Sequence, residues 1–156
     1  MARKKSTEYA SVRLVELKMV RSKTIRYEHT GDSAKNVVAA ITPLFKDEYR
    51  EKCVVVGMDS SNTFTVIHVV GVGDVVSAPV HIPNVIKPLL LSNSTACVLV
   101  HNHPGNQLEP SPSDRELTRR VQEVTRLLNI KLLDHIIVNS DCSEHHSMHR
   151  DSPWPY

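Results

Sequence analysis

The chain has 156 residues, 40% of them hydrophobic and 23% charged, with a formal net charge of +2. That is the size and composition of one soluble globular domain that can bury a core without staples. No apolar run is long enough to cross a bilayer, and so small a charge gives no reason by itself to expect a nucleic-acid partner.

The opening stretch, MARKKSTEYA, has no apolar run behind it and is not read as a secretory signal. Arg3, Lys4 and Lys5 make residues 1–8 a flexible basic terminus. Residues 9–150 read as a single domain and 151–156 as a tail. Within SVRLVELKMV, Val12, Leu14, Leu17 and Met19 alternate imperfectly and predict an extended segment. Next, GDSAKNVVAAITPLF has a cap in Asp32 or Ser33 and apolar residues at helical spacing: Val37, Val38, Ile41, Leu44, Phe45. Pro43 is expected to end or kink that helix. Residues 51–59 and 63–73 are β-rich, and SSN between them predicts a hairpin. In HIPNVIKPLLLSNS, two prolines predict a short, interrupted helix.

TACVLVH (95–101) is a continuous apolar run, the pattern of a strand buried on both faces. After a loop over 104–112, SPSDRELTRRVQEVTRLLN predicts a helix whose apolar face is Val121, Val124, Leu127 and Leu128. KLLDHIIV (131–138) is another central strand, and the remainder is a polar tail. The order β-α-β-β-α-β-α-β predicts an α/β (α+β) fold, a mixed β-sheet flanked by helices. Cys53, Cys97 and Cys142 are odd in number and lack CxxC spacing. They read as free thiols in a reducing compartment, which predicts a cytoplasmic protein.

The stretch VLVHNHPG concentrates the chemistry. On a strand, residues i and i+2 point to one side, so His101 and His103 leave the end of the apolar run together. Ligands of open sheets sit at such carboxyl ends. A catalytic zinc takes three protein ligands and keeps one open position. Asp114 is the third candidate. Ser111-Pro112 is a good cap and first helical residue, and Ser113 with Glu116 a second register for a capping box. Either register leaves Asp114 in the first turn. A His2Asp set around Zn2+ would lower the pKa of bound water. Hydrolysis also needs a proton acceptor. Glu51 is best placed by chain order, but periodicity does not choose it over Asp47 or Glu48.

Plainer readings stand beside these. Ser111 could serve only as a cap, Asp114 only as a partner of the helix dipole, and Glu51 only as an exposed strand starter. His135 reads as a hydrogen-bonded core histidine. His145, His146 and His149 read as surface residues, and Arg115, Arg119 and Arg126 as a solvated helix face.

HNHPGNQLEPSPSD fits His-x-His-x7-Ser-x2-Asp and resembles the JAMM (MPN-domain) metalloproteases. With YREKCVVVGMDSSN, PSPSDRELTRR and LLNIKLLDHIIV, it resembles their RadC-like branch most closely, over residues 9–150. The resemblance implies a cytidine-deaminase-like architecture and zinc held by His101, His103 and Asp114. In that branch an Arg-Glu pair precedes an apolar strand, which matches Arg50-Glu51 and makes Glu51 the proton shuttle. It implies that Ser111 helps hold the oxyanion. It also implies a protein or peptide substrate, with a ubiquitin-like conjugate among the candidates. The family's usual label, DNA repair, offers nucleic acid as a less favoured partner. The expected amino-terminal helix-hairpin-helix region is not seen in this sequence, and Gly105 stands where relatives usually have Ser. A third reading is a non-catalytic interaction module.

Overall fold

The computed structural model describes residues 12–20, 22–46, 48–73, 80–151 and 153–154. The first helix, α1 (Ala34–Phe45), begins where Ser33 adopts an extended backbone and its side chain accepts from the Asn36 N–H. Pro43 neither ends nor interrupts it. A proline removes the bond to the carbonyl four residues back. Here that residue is Ala39, which is exposed, so water can serve its carbonyl. The same holds for α2 (Ile82–Leu91), one helix rather than the interrupted one expected, because Asn84, whose carbonyl Pro88 leaves without its helical bond, is exposed.

β1 (Lys52–Met58) and β2 (Phe64–Val72) form the expected hairpin. Asp59 closes its turn, accepting from the N–H groups of Ser61 (2.8 Å) and Thr63 (3.0 Å), with Asn62 in the left-handed region. β3 (Ala96–Asn102) is buried along its whole length, as an apolar run of that length requires. β4 (Lys131–Val138) lies parallel to it, connected through α3 (Pro112–Leu127).

The sheet order is β2-β1-β3-β4-β5, with β3 and β4 the parallel pair, so the sheet is mixed. Alternation along the strands divides the core in two. Val54, Val56, Val98 and Val100 pack with Val37, Ile41 and Phe45 of α1. Cys53, Val55, Cys97 and Leu99 pack on the other face with Val85 and Leu89 of α2 and Val121 of α3. The result is an α/β fold with helices on both faces of the sheet.

Three further expectations are corrected. Residues 12–20 form no strand, and Val12, Leu14, Val15, Leu17 and Val20 are exposed. Their imperfect alternation defines no single apolar face to bury. In α3 the buried stripe is Asp114, Thr118, Val121 and Thr125, while Leu127 is 83% exposed. Its polar members are tolerated because they are bonded: the Thr118 hydroxyl contacts the Asp114 carbonyl (2.6 Å), and that of Thr125 donates to the Gln122 carbonyl (3.3 Å). The polar tail, finally, holds a short edge strand, β5 (His145–Ser147), and a helical turn, α4 (Met148–Asp151). Asp134 staples it, accepting from the Ser147 hydroxyl (2.6 Å) and the His149 N–H (3.0 Å). Three residues are too few to show a period.

The three cysteines are free; Cys53 and Cys97 are buried and Cys142 is half-buried. Burial pushes the Cys53 and Cys97 thiols up to about 12, so both are neutral near pH 7. Among the described residues no helix is long and apolar enough to cross a membrane.

Candidate metal centre

β3 delivers its histidines at its carboxyl end. His101 is the penultimate strand residue and is buried; His103 follows the strand and is half-buried. Pairing with β4 continues past the strand, the His103 N–H donating to the Val138 carbonyl (2.9 Å). The chain then turns at Asn106, which is left-handed and accepts from the N–H and hydroxyl of Ser140. Gly105 lies in this turn with nothing within 4 Å of where a Cβ would stand, so steric fit does not require glycine there.

The loop returns the start of α3 to the histidines. Ser111 is the N-cap, and the capping box closes on Asp114 rather than Glu116. Asp114 Oδ2 accepts from the Ser111 N–H (2.8 Å) and hydroxyl (2.6 Å). A local rule of helix initiation thereby aims the carboxylate at the strand end.

One ligand atom from each of Glu51, His101, His103 and Asp114 lies within 4.8 Å of all the others. His101 Nε2 is 2.9 Å from His103 Nε2 and 3.2 Å from Asp114 Oδ1; His103 Nε2 is 3.6 Å from Asp114 Oδ2. These four are the residues singled out in the sequence. Ser111 reaches the group through Asp114. Glu48 stays outside it, paired with Arg50 (3.1 Å) and Lys52 (2.9 Å), whose hydrogen bonds hold its carboxyl down to about 2. Asp47 lies outside the described residues. His145, His146 and His149 do not join the group: His146 pairs with Asp151 (3.1 Å), and the His149 ring packs on Trp154. Arg115 and Arg119 face solvent, paired with Glu109 and with Glu116 and Glu123.

Proton bookkeeping tests whether this group fits a metal. The Asp114 carbonyl can only accept, so the Thr118 hydroxyl gives it its one proton (2.6 Å). Thr118 Oγ1 must then accept from His135 Nδ1 (2.6 Å). Burial holds His135 neutral, its pKa well below the usual imidazole value, so its Nε2 carries a lone pair. That lone pair accepts from His101 Nδ1 (2.9 Å), and a neutral His101 has its Nε2 lone pair free. His103 Nδ1 donates to the Gln107 carbonyl, which leaves its Nε2 free in the same way. Two lone pairs and a carboxylate therefore converge on one point. They repel one another unless a cation or proton lies between them. Burial pushes the Asp114 pKa up, but with protons on those ring nitrogens in place of a metal, hydrogen bonds from His101, His103 and Ser111 outweigh it and hold Asp114 anionic, well below the carboxylate range. Two imidazoles and one carboxylate fit a divalent metal, with ring orientation set from behind.

His135 is the hydrogen-bonded core histidine expected, but its link to His101 is not visible along the sequence. The available signal was a titratable residue in an apolar strand, with Thr118 one helical turn after Asp114. His135→Ala is expected to weaken metal affinity about 10- to 100-fold, measured by chelator competition. Unchanged affinity would mean that His101 is oriented by something else.

The sequence model described as the RadC-like JAB domain matches residues 31–152. The chain belongs to this family. It is 35% identical over 106 residues to a UPF0758 protein of Methanosarcina acetivorans, covering 68% of this chain and 46% of that one. It is 33% identical over 131 residues to one of Vibrio vulnificus, covering 80% and 58%. The RadC-like chain thus spans about half the length of the curated relatives it matches, and their names state no activity.

Proposed function

We propose that this RadC-like protein is a zinc-dependent hydrolase of the JAMM type that cuts an amide bond, peptide or isopeptide, in a protein or peptide substrate. The convergence of Glu51, His101, His103 and Asp114 carries the reading. Two histidines and an aspartate match the three protein ligands of a catalytic zinc. Bound there, zinc would polarise the scissile carbonyl and lower the pKa of water to near neutrality. His101, His103 and Asp114 hold it. Glu51 takes the proton of the attacking water and passes it to the leaving amine. The Ser111 hydroxyl, which donates to Asp114 in this structure, turns to donate to the oxyanion, while the Ser111 N–H keeps Asp114 in place.

Two observations favour amide over phosphodiester. Cleavage of phosphodiesters often uses paired metals, and the described residues hold a single ligand group. Arg115 and Arg119 are already paired with acids, leaving less charge for a phosphate backbone. An extended carboxyl-terminal tail, as on a ubiquitin-like conjugate, is the favoured substrate form. Edge strand β2 offers it backbone groups, since Val72 is in register with Lys52 beside Glu51. The free thiols fit a reducing cytoplasm.

The test is incubation of zinc-loaded protein with peptide–lysine conjugates and with single- and double-stranded DNA. Chelator-sensitive cleavage of the conjugates is the expected result. Metal-dependent cutting of DNA with every amide intact would give the site to nucleic-acid processing. Zinc binding with neither activity would favour the interaction module.

A further inference from the structure

The β1–β3 ladder ends at the metal centre. Its last pair is Cys53 with His101. Beyond that pair the side chain of Asn102 takes over. Its Oδ1 accepts from the Lys52 N–H at 2.8 Å, and its Nδ2 donates to the Arg50 carbonyl at 3.0 Å. The orientation of the amide follows from its partners, because a backbone N–H only donates and a carbonyl only accepts. Asn102 is fully buried. The two groups it holds flank Glu51 on either side. Just past β2, the Gly73 N–H donates to the Glu51 carbonyl (2.9 Å). Residues 50–52 are thus clamped from both neighbouring strands.

Alternation separates this clamp from the ligands. Glu51 and His101 lie on the α2/α3 face, whereas Asn102 and Lys52 lie on the α1 face, where Lys52 Nζ donates to the Leu44 carbonyl (2.7 Å). Asn102 therefore reaches Glu51 through backbone alone. A side-chain amide also spans a wider gap than a backbone rung, so the strands can part here without orphaning buried N–H and C=O groups.

We propose that Asn102 is a positioning residue for Glu51. Its buried amide replaces the next rung between β1 and β3 and holds the Glu51 carboxylate against the metal centre. This rests on Glu51 being the proton acceptor.

The test compares wild type, Asn102→Ala and Asn102→Asp as full chains loaded with zinc. In Asn102→Ala, hydrogen exchange at the Lys52 amide is expected to rise about tenfold or more, with β3 amides unchanged. Zinc is expected to stay at about one per chain, because the ligands keep their own supports. On a peptide–lysine conjugate that wild type cuts, kcat is expected to fall about 10- to 100-fold while KM holds. Asn102→Asp keeps an acceptor for Lys52 but loses the donor to Arg50. It is expected to retain protection of the Lys52 amide and lose kcat, and it stands in if the alanine variant does not fold. Cobalt-loaded protein supplies a reading free of any substrate: Glu51→Gln and Asn102→Ala are expected to shift the visible bands alike. If wild type cuts no conjugate, the hydrolase reading fails, and the cobalt bands and Lys52 exchange still decide the clamp. Unchanged Lys52 exchange in Asn102→Ala, cobalt bands that answer to Glu51→Gln alone, or zinc lost from a folded variant would overturn the proposal.

Discussion

His103→Ala is expected to strip the protein of its metal. Wild type is expected to purify with, or take up, about one zinc per chain. The substitution removes one of two lone pairs that face each other across 2.9 Å, leaving His101 and Asp114 as an incomplete set. Loss of a supporting residue alone costs about 10- to 100-fold in affinity, and loss of a ligand costs more. The fold is expected to survive, because His103 lies past the end of β3 and is only half-buried. Elemental analysis measures the content. A melting curve adds a second reading, since an ion that binds only the native state raises its stability. Zinc should raise the melting temperature of wild type and leave that of His103→Ala unmoved. A wild-type protein that neither carries nor takes up metal would sink the assignment of the site.

Glu51→Gln is expected to keep the zinc and abolish cleavage. The amide has the size and shape of the carboxylate but cannot accept a proton. A positioned general base contributes about 10²–10⁴-fold, and kcat is expected to fall by at least the lower figure. The surrounding peptide is held independently by Asn102 and Gly73, so the substitution is not expected to disturb β1. Elemental analysis and steady-state cleavage of a peptide–lysine conjugate check the two halves separately. Loss of zinc would make Glu51 a ligand. Unchanged activity would pass the role to another carboxylate, and Glu48 is a poor one: Arg50 and Lys52 hold it at about 2, too weak a base for the task.

What could be read from the sequence was local. The two histidines share a side because a strand repeats every two residues. Asp114 points at them because a capping box ties the N-cap residue to the one three positions on, although only the structure distinguished its pairing with Ser111 from the Ser113–Glu116 register. β1, β2, β3 and β4 were legible as apolar or alternating runs with turn residues between them. Pro88 of α2 misled because a proline's cost depends on whether the carbonyl it orphans meets water, which is a matter of exposure. β5 and the stapling of the tail depend on Asp134, a residue of another strand.

The carboxylate partner of the histidines belongs to the same class. Glu48 and Glu51 are three residues apart and chemically alike, and strand register separates them. Pairing Cys53 with His101 puts Glu51 on the metal face, and Glu48 is drawn off to Arg50 and Lys52. His135 meets His101 for the same reason, since parallel pairing of β3 with β4 sets Leu99 beside His135. Asn102 looks in the sequence like a spacer between two histidines, and its amide acquires a task only where the ladder runs out. Spacing along one element is set by backbone geometry, which a sequence displays. Contacts between elements are set by how distant segments align once the core packs, and no local pattern encodes that alignment.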